Sequence, residues 1–441
     1  MADPVLTIDF GTSYSSAVIV GATNPIAEPT TDSYSWPSSV YLQGDTLLVG
    51  TLAERKKRTE PAAFRTEFKR ELGAAAPVFL GERTFAPVEL ATAVIRALKT
   101  EAERTHGGPI DRVVLTVPAS YLPGDPRRAL MIEAGEAAGF GAVELLAEPV
   151  AAAFAPGASP GVDGLMLVYD FGGGTFDTAV VRMEPSKHTV LGHAALDDCG
   201  GRDIDALVGA KVREEGEEWL APLVETAGSE GGLRLRMAVG DFAQRVKHQL
   251  TDSTTVEDFL LPISPAYRLA RSELAKLVEP QLRRTVDCVR GLLRRLRLDI
   301  QEIDAVLLVG GSSRMPVVAE TLAGEFGRPL HRPEDPDLAV VLGAAEWSRR
   351  RSPAVVSDEI HRPGLYPLHW DIPGGVARIH RWLVQPRDPY PAGAALARVR
   401  LPDGALWDLT AAKEGVVERL LAEPGSEVRG GQWLALAVAG C

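Results

Sequence analysis

The sequence predicts a two-lobed α/β architecture followed by a small all-β unit, and three pairs of matching segments predict it. The run Val5-Leu6-Thr7-Ile8-Asp9-Phe10-Gly11, followed by Ala17-Val18-Ile19-Val20, recurs 161 residues later as Leu167-Val168-Tyr169-Asp170-Phe171-Gly172 followed by Ala179-Val180-Val181. Both read as strand, glycine turn, strand. Val113-Val114-Leu115-Thr116-Val117-Pro118 and Ala305-Val306-Leu307-Leu308-Val309-Gly310 are buried-type strands, each leading through a small-residue turn into a helix. Glu148-Pro149 opens a helix over 150–154 and Asp335-Pro336 one over 337–347, with proline near the first turn where its missing N–H does no harm. Three pairs in the same order imply two similar lobes facing each other across a cleft.

Size and charge bound the rest. With 441 residues, 45% hydrophobic content and mean hydropathy near zero, the chain has room for two to four compact units. A net charge of −12 argues against nucleic acid and against anionic membrane, both of which require a basic face. Arg283, Arg284, Arg290, Arg294, Arg295 and Arg297 recur through one helical segment and read as a solvated face. Three cysteines, Cys199, Cys288 and Cys441, are too few and too scattered for a disulfide framework or a zinc cluster. The N-terminus has no signal-peptide pattern and no apolar run reaches about 18 residues, so a cytoplasmic protein is expected.

Each glycine hairpin places a carboxylate at a strand end beside small residues. Backbone N–H groups can then approach phosphate oxygens while the aspartates hold a hydrated Mg²⁺. A lone Gly-Gly-Gly would signal only a tight turn; its duplicated setting is what favours a nucleotide site. No Walker-type Gly-x-x-x-x-Gly-Lys-Ser/Thr occurs, and neither hairpin runs into a helix as a dinucleotide-binding unit requires.

The runs Asp170-Phe171-Gly172-Gly173-Gly174-Thr175-Phe176-Asp177 and Gly310-Gly311-Ser312-Ser313-Arg314-Met315-Pro316 resemble the nucleotide-binding domain of the DnaK-type heat-shock chaperones, within the actin-like superfamily of duplicated ribonuclease-H-like folds. The resemblance extends from about residue 5 to 348. It implies ATP or ADP with Mg²⁺ and K⁺. By it, Gly11, Thr12, Ser13 and Tyr14 form the first phosphate loop, and Gly172, Gly173, Gly174 and Thr175 the second. Asp9, Asp170 and Asp177 organise the metal, Asp177 also serving the attacking water and K⁺, and Glu148 orders the metal's water shell. Lys69 is implied as the catalytic lysine on the γ-phosphate. That role suits a reaction catalysed by positioning and charge, although an isolated lysine is more often an exposed helix residue.

For adenosine, the resemblance implies Gly310, Gly311, Ser312, Arg314 and Asp337 on one wall and a helix over 242–250 on the other. Lys247 fits there, while Gln244 stands where an acid is usual and His248 where an arginine is usual; an amide still bonds a ribose hydroxyl and an imidazole still stacks on a base. Gly201, in Gly200-Gly201-Arg202-Asp203-Ile204-Asp205, opens the second lobe's mobile subdomain. Arg128 matches an arginine that relays nucleotide state, its plainer alternative being a solvated side chain. The stretch 69–148 is short for the family, implying a trimmed outer subdomain.

The resemblance ends near Trp347. The expected boundaries are 1–350 for the nucleotide-binding domain, 351–366 for a linker and 367–441 for a β domain. Four of seven tryptophans (Trp370, Trp382, Trp407 and Trp433) lie in the tail, and PRDPYPAGAAL at 386–396 aligns with PGSEVRGGQWL at 424–434, a spacing of 38. The run from Gly415 to Leu434, Gly-Val-Val, a strand, then Gly-Ser-x-Val-x-x-Gly-Gln-x-Leu, resembles one half of a biotinyl or lipoyl carrier domain, whose carrier lysine would sit on the turn between halves near Leu401-Pro402-Asp403-Gly404. No lysine is there; Lys413 is the only one after Lys276. An unmodified contact module is the expectation, a simple cap on the first domain its alternative.

The combined expectation is a chaperone-like ATPase of weak turnover that couples nucleotide state to a protein client or partner through 367–441. Co-chaperone coupling is doubtful without the family's linker and peptide groove. Two alternatives stand beside it: a nucleotide-sensing scaffold without significant turnover, and a small-molecule kinase of the same superfamily.

Overall fold

The structure is a computed structural model describing residues 4–74, 76–121, 124–158, 164–184, 188–226, 228–262, 264–350, 360–361, 365–368, 370, 372–373, 375–402, 404–422, 424–429 and 434–439. Apolar alternation in Val5–Phe10 and Tyr14–Ile19 drives an antiparallel hairpin with Asp9 opposite Ser16. Arg112–Val117 joins it in parallel, followed by Ala142–Ala147, while Trp36–Pro37 pairs with the hairpin's outer strand. The second lobe repeats this order: Leu330–His331, Ala305–Val309, Gly164–Phe171, Phe176–Met183 and His188–Leu196. Asp170 there sits opposite Asp177. Two lobes of the same strand order are thus present, as the paired segments predict.

Helices cover each sheet. Pro87–His106 buries Leu90, Val94, Ile95 and Leu98 against the first sheet, a 3.6-residue stripe that matches Leu6, Ile8 and Leu115. Arg271–Leu296 buries Val278, Leu282, Val286 and Val289 against the second. Each such side chain contributes about 2 kcal/mol by leaving water. A third cluster, including Ala151, Ala152, Val168, Val309 and Ala344, joins the lobes at the base. There Glu148–Ala153 packs on Ala339–Arg350, which begins two residues later than expected at Asp337. Gly343 permits that approach: a Cβ on it would lie 1.9 Å from the Ala151 carbonyl oxygen.

The arginine-rich helix face is exposed and ion-paired, Arg283 to Glu279 four residues back and Arg290 to Glu325 at 2.5 Å. No helix among the described residues is long and apolar enough to cross a membrane.

Of the expected linker, only 360–361 and 365–366 lie within the described residues; Ile360–His361 adds as an edge strand to the first sheet, pairing with Val143 and Glu144. Among the described residues the tail forms two four-stranded sheets. Its 38-residue repeat is a structural pseudo-two-fold. Leu383 N donates to Leu396 O and Leu421 N to Leu434 O, both at 2.9 Å; Val417 N donates to Asp388 O and Ile379 N to Ser426 O, again both at 2.9 Å. Register breaks between Ile379 and Arg381 and between Val417 and Arg419 repeat at the same spacing. Trp370 and Trp382 each donate an indole N–H to a carbonyl 40 residues on, at Thr410 and Ala422. Asp403, Trp433 and Cys441, named in the sequence reading, lie outside the described residues.

Candidate functional site

A cleft of about 560 Å³ lies between the lobes, lined from both. Every residue expected to handle phosphate, metal or adenosine lines it: Asp9, Gly11, Thr12, Ser13, Tyr14, Lys69, Glu148, Asp170, Gly172, Gly173, Gly174, Thr175, Asp177, Gly201, Gln244, Lys247, His248, Gly310, Gly311, Ser312, Arg314 and Asp337. Arg128 does not; it is buried beneath, donating to the Tyr121 carbonyl at 3.0 Å, so the solvated-arginine alternative fails.

The two hairpin turns nearly touch. A Cβ on Gly173 would fall 2.4 Å from Ser13 Oγ, and one on Gly174 would fall 2.6 Å from Thr12 Cγ2. Glycine is therefore required here by the neighbouring loop, and both turns line the same cleft. Gly172 N closes the second turn on Thr175 O at 3.1 Å. Gly201 N and Arg202 N then donate to Gly172 O and Gly173 O, at 3.0 and 2.8 Å, tying the helix Gly201–Glu215 to the turn. Ser13 Oγ is shielded from solvent without a hydrogen-bond partner among the described residues.

On the floor, Lys69 Nζ meets Glu148 Oε1 at 3.0 Å. Lys69 belongs to the short helix Phe68–Glu71 and is 6% exposed, so it is no surface helix lysine. Burial pulls its pKa down, but the charges of Glu148, Tyr121 and Asp9 outweigh that and hold it above the usual range. The aspartates shift the other way. Burial and the nearby Glu148 push Asp9 up to about 6, against Lys69 and a 2.8 Å bond from Thr116. Asp177 rises to about 7 through burial and Glu148, though Thr175 Oγ1 donates to it at 2.9 Å. Asp170 rises well above its ordinary value through burial and the charges of Glu148, Asp177 and Asp9. A carboxylate cluster so short of positive charge suits a cation. Among the described residues no three His, Cys, Asp or Glu side chains are arranged to chelate a bare ion, so the set suits an ion that keeps its waters, as Mg²⁺ does.

At the other end, Ser312 Oγ donates to Gly172 O at 2.9 Å and Arg314 pairs with Asp337 at 3.0 Å. Lys247 is buried against Asp205 at 2.8 Å and donates to Gly201 O at 2.9 Å. Burial lowers the pKa of His248, as does Lys247 beside it, which favours the neutral ring. Arg70, Tyr121, Arg127, Asp197, Arg202 and Asp205 also line the cleft, with no role assigned to them from the sequence. Arg202 and Asp205 stood inside the quoted glycine segment, and Arg70 beside Lys69.

The sequence model of the Hsp70 protein family matches residues 74–372. The chaperone protein HscA homolog of Aeromonas hydrophila subsp. hydrophila is 33% identical over 331 residues, 70% of this chain and 51% of that protein. The chaperone protein DnaK of Mycoplasmopsis synoviae is 31% identical over 353 residues, 77% of this chain and 57% of that protein. The chain thus spans about half the length of the curated relatives it matches.

Proposed function

Since the chain belongs to the Hsp70 family, we propose that its interlobe cleft binds ATP with Mg²⁺ and hydrolyses it slowly, and that nucleotide state is passed to a protein partner through the C-terminal β unit. One observation carries the reading: both duplicated loops, the three high-pKa aspartates and the Lys69–Glu148 pair line a single cavity. Asp9, Asp170 and Asp177 would hold the hydrated ion, which when bound neutralises phosphate charge. K⁺ near Asp177 is part of the same proposal.

The chain's own groups would do the rest. The turns at Gly11–Tyr14 and Gly172–Thr175 would cradle phosphates through backbone N–H groups, and Ser13 Oγ would gain the partner it lacks. Lys69, kept charged, would lie on the terminal phosphate. Asp177, whose pKa lies near neutrality, would accept a hydrogen bond from an attacking water. Gly310, Gly311, Ser312, Arg314 and Asp337 would meet adenosine from one side, Gln244, Lys247 and His248 from the other.

In the tail, Arg378 stands opposite Arg400, and Arg381 opposite Arg398, on neighbouring strands. Leu406 and Trp407 are exposed on the adjoining strand. Arg398 is offset by its ion pair with Asp408 at 2.6 Å and Arg378 stands opposite Glu427 on its other side, so it is the exposed Leu406 and Trp407 that favour a contact surface over an inert cap. Purified protein with Mg²⁺ and K⁺ should release phosphate from ATP, and Lys69→Ala or Thr175→Ala should abolish it; equal release by wild type and both variants would sink the hydrolytic reading.

A further inference from the structure

Arg202 follows Gly201 in the second lobe, and its backbone N–H is bonded to Gly173 of the second phosphate turn. Its side chain crosses the cleft. The guanidinium bonds the Glu67 carboxylate through Nη1 and donates to Thr66 Oγ1 through Nη2 at 2.9 Å. Glu67 also faces Arg70 at 3.3 Å, so one carboxylate sits between arginines of opposite lobes. Its backbone is left-handed, with φ of 64°, a conformation disfavoured for a side chain of this kind. Glu67 is the residue from which the helix Phe68–Glu71 starts, and Lys69 is the second residue of that helix.

These links form one chain of contacts from the phosphate turn through Arg202 and Glu67 to the turn that carries Lys69. We propose that Arg202 and Glu67 are a positioning pair which makes the placement of Lys69 depend on closure of the cleft. With the lobes closed, Arg202 holds Glu67 in its strained conformation and Lys69 stays aimed at the phosphate site. When the second lobe swings away, that hold is lost and Lys69 withdraws. The inference rests on the reading of Lys69 as the group that meets the terminal phosphate.

The test uses the full-length chain with ATP and Mg²⁺. Single-turnover phosphate release and, separately, ATP affinity by calorimetry are measured for wild type, R202Q, E67Q, the charge-exchanged R202E/E67R and K69A. Each single glutamine variant is expected to slow release about tenfold while affinity changes by less than about threefold, and the charge exchange to restore most of the rate. A pair that served only to hold the fold would lower the thermal midpoint without separating rate from affinity. Folded R202Q and E67Q proteins as fast as wild type, or a folded double variant no faster than the singles, would overturn the proposal. K69A separates the two readings. If it is inactive while R202Q is unimpaired, only the pairing falls; if wild type and K69A release phosphate equally, both readings fall.

Discussion

Lys69 and Glu148, 79 residues apart in sequence, form a 3.0 Å ion pair on the cleft floor, their side chains 7% and 12% exposed. Each charge alone would be costly there, because side chains so nearly buried gain little from water in place of the missing partner.

Lys69→Ala therefore strands Glu148. Chemical denaturation should show a loss of about 3 kcal/mol, and adding Glu148→Gln to it should recover a large part. Strictly additive losses in the two single variants would mean that the pair does not couple.

The aspartates set a pH dependence. In the folded, nucleotide-free protein Asp177 keeps its proton up to about pH 7, against 3.8 for an ordinary aspartate. Between those values the folded state binds more protons than the unfolded state, so this group's contribution makes stability fall as pH rises. Asp177→Asn should stabilise the nucleotide-free protein at pH 7.5 by about 2 kcal/mol. That gain should fade by about pH 4, and stabilisation by Mg²⁺ and ATP should be largely lost. Thermal midpoints across pH, with and without nucleotide, check both, and an Asn variant less stable than wild type at pH 7.5 would contradict the assignment.

Gly173→Ala places a methyl group against Ser13 Oγ and forces the two turns apart. Calorimetry should show at least about a tenfold loss of ATP affinity, near 1.4 kcal/mol. The thermal midpoint of the nucleotide-free protein should move little, because the strain is relieved into the open cleft. Unchanged affinity would mean that the turns do not jointly hold phosphate.

In the tail, Arg400→Glu converts a like-charge register partner of Arg378 into an opposite one. The gain should be about 0.5 kcal/mol, seen as slower amide hydrogen exchange in Val376–Trp382 and Ala395–Arg400. Faster exchange would show that the arginines are not in conflict.

The hairpins, their glycine turns and the 38-residue repeat were legible because each is a local pattern: alternation, a small-residue turn, a recurring string. The residues proposed to meet adenosine, Lys247 among them, were named through resemblance, and all of them line the cleft. Burial of Lys69 and Arg128 was not, since nothing within a few residues of either says what lies above it. Glu67 carried no signal, and Arg202 only its place in the glycine segment; nothing in the sequence linked the two. They are 135 residues apart, and a left-handed glutamate is not marked by its neighbours in sequence.

The amino-acid sequence by itself determined that the chain folds as two matching α/β lobes with a repeated β unit behind them, and it singled out the residues that line the cleft between the lobes. Periodicity and turn composition act over a few residues, so one chain states them. Tertiary structure alone decided which charges neutralise one another: Lys69 with Glu148, Lys247 with Asp205, Arg202 with Glu67. The physical reason is that electrostatic energy depends on distance and exposure to water, and both are set by how the two lobes close.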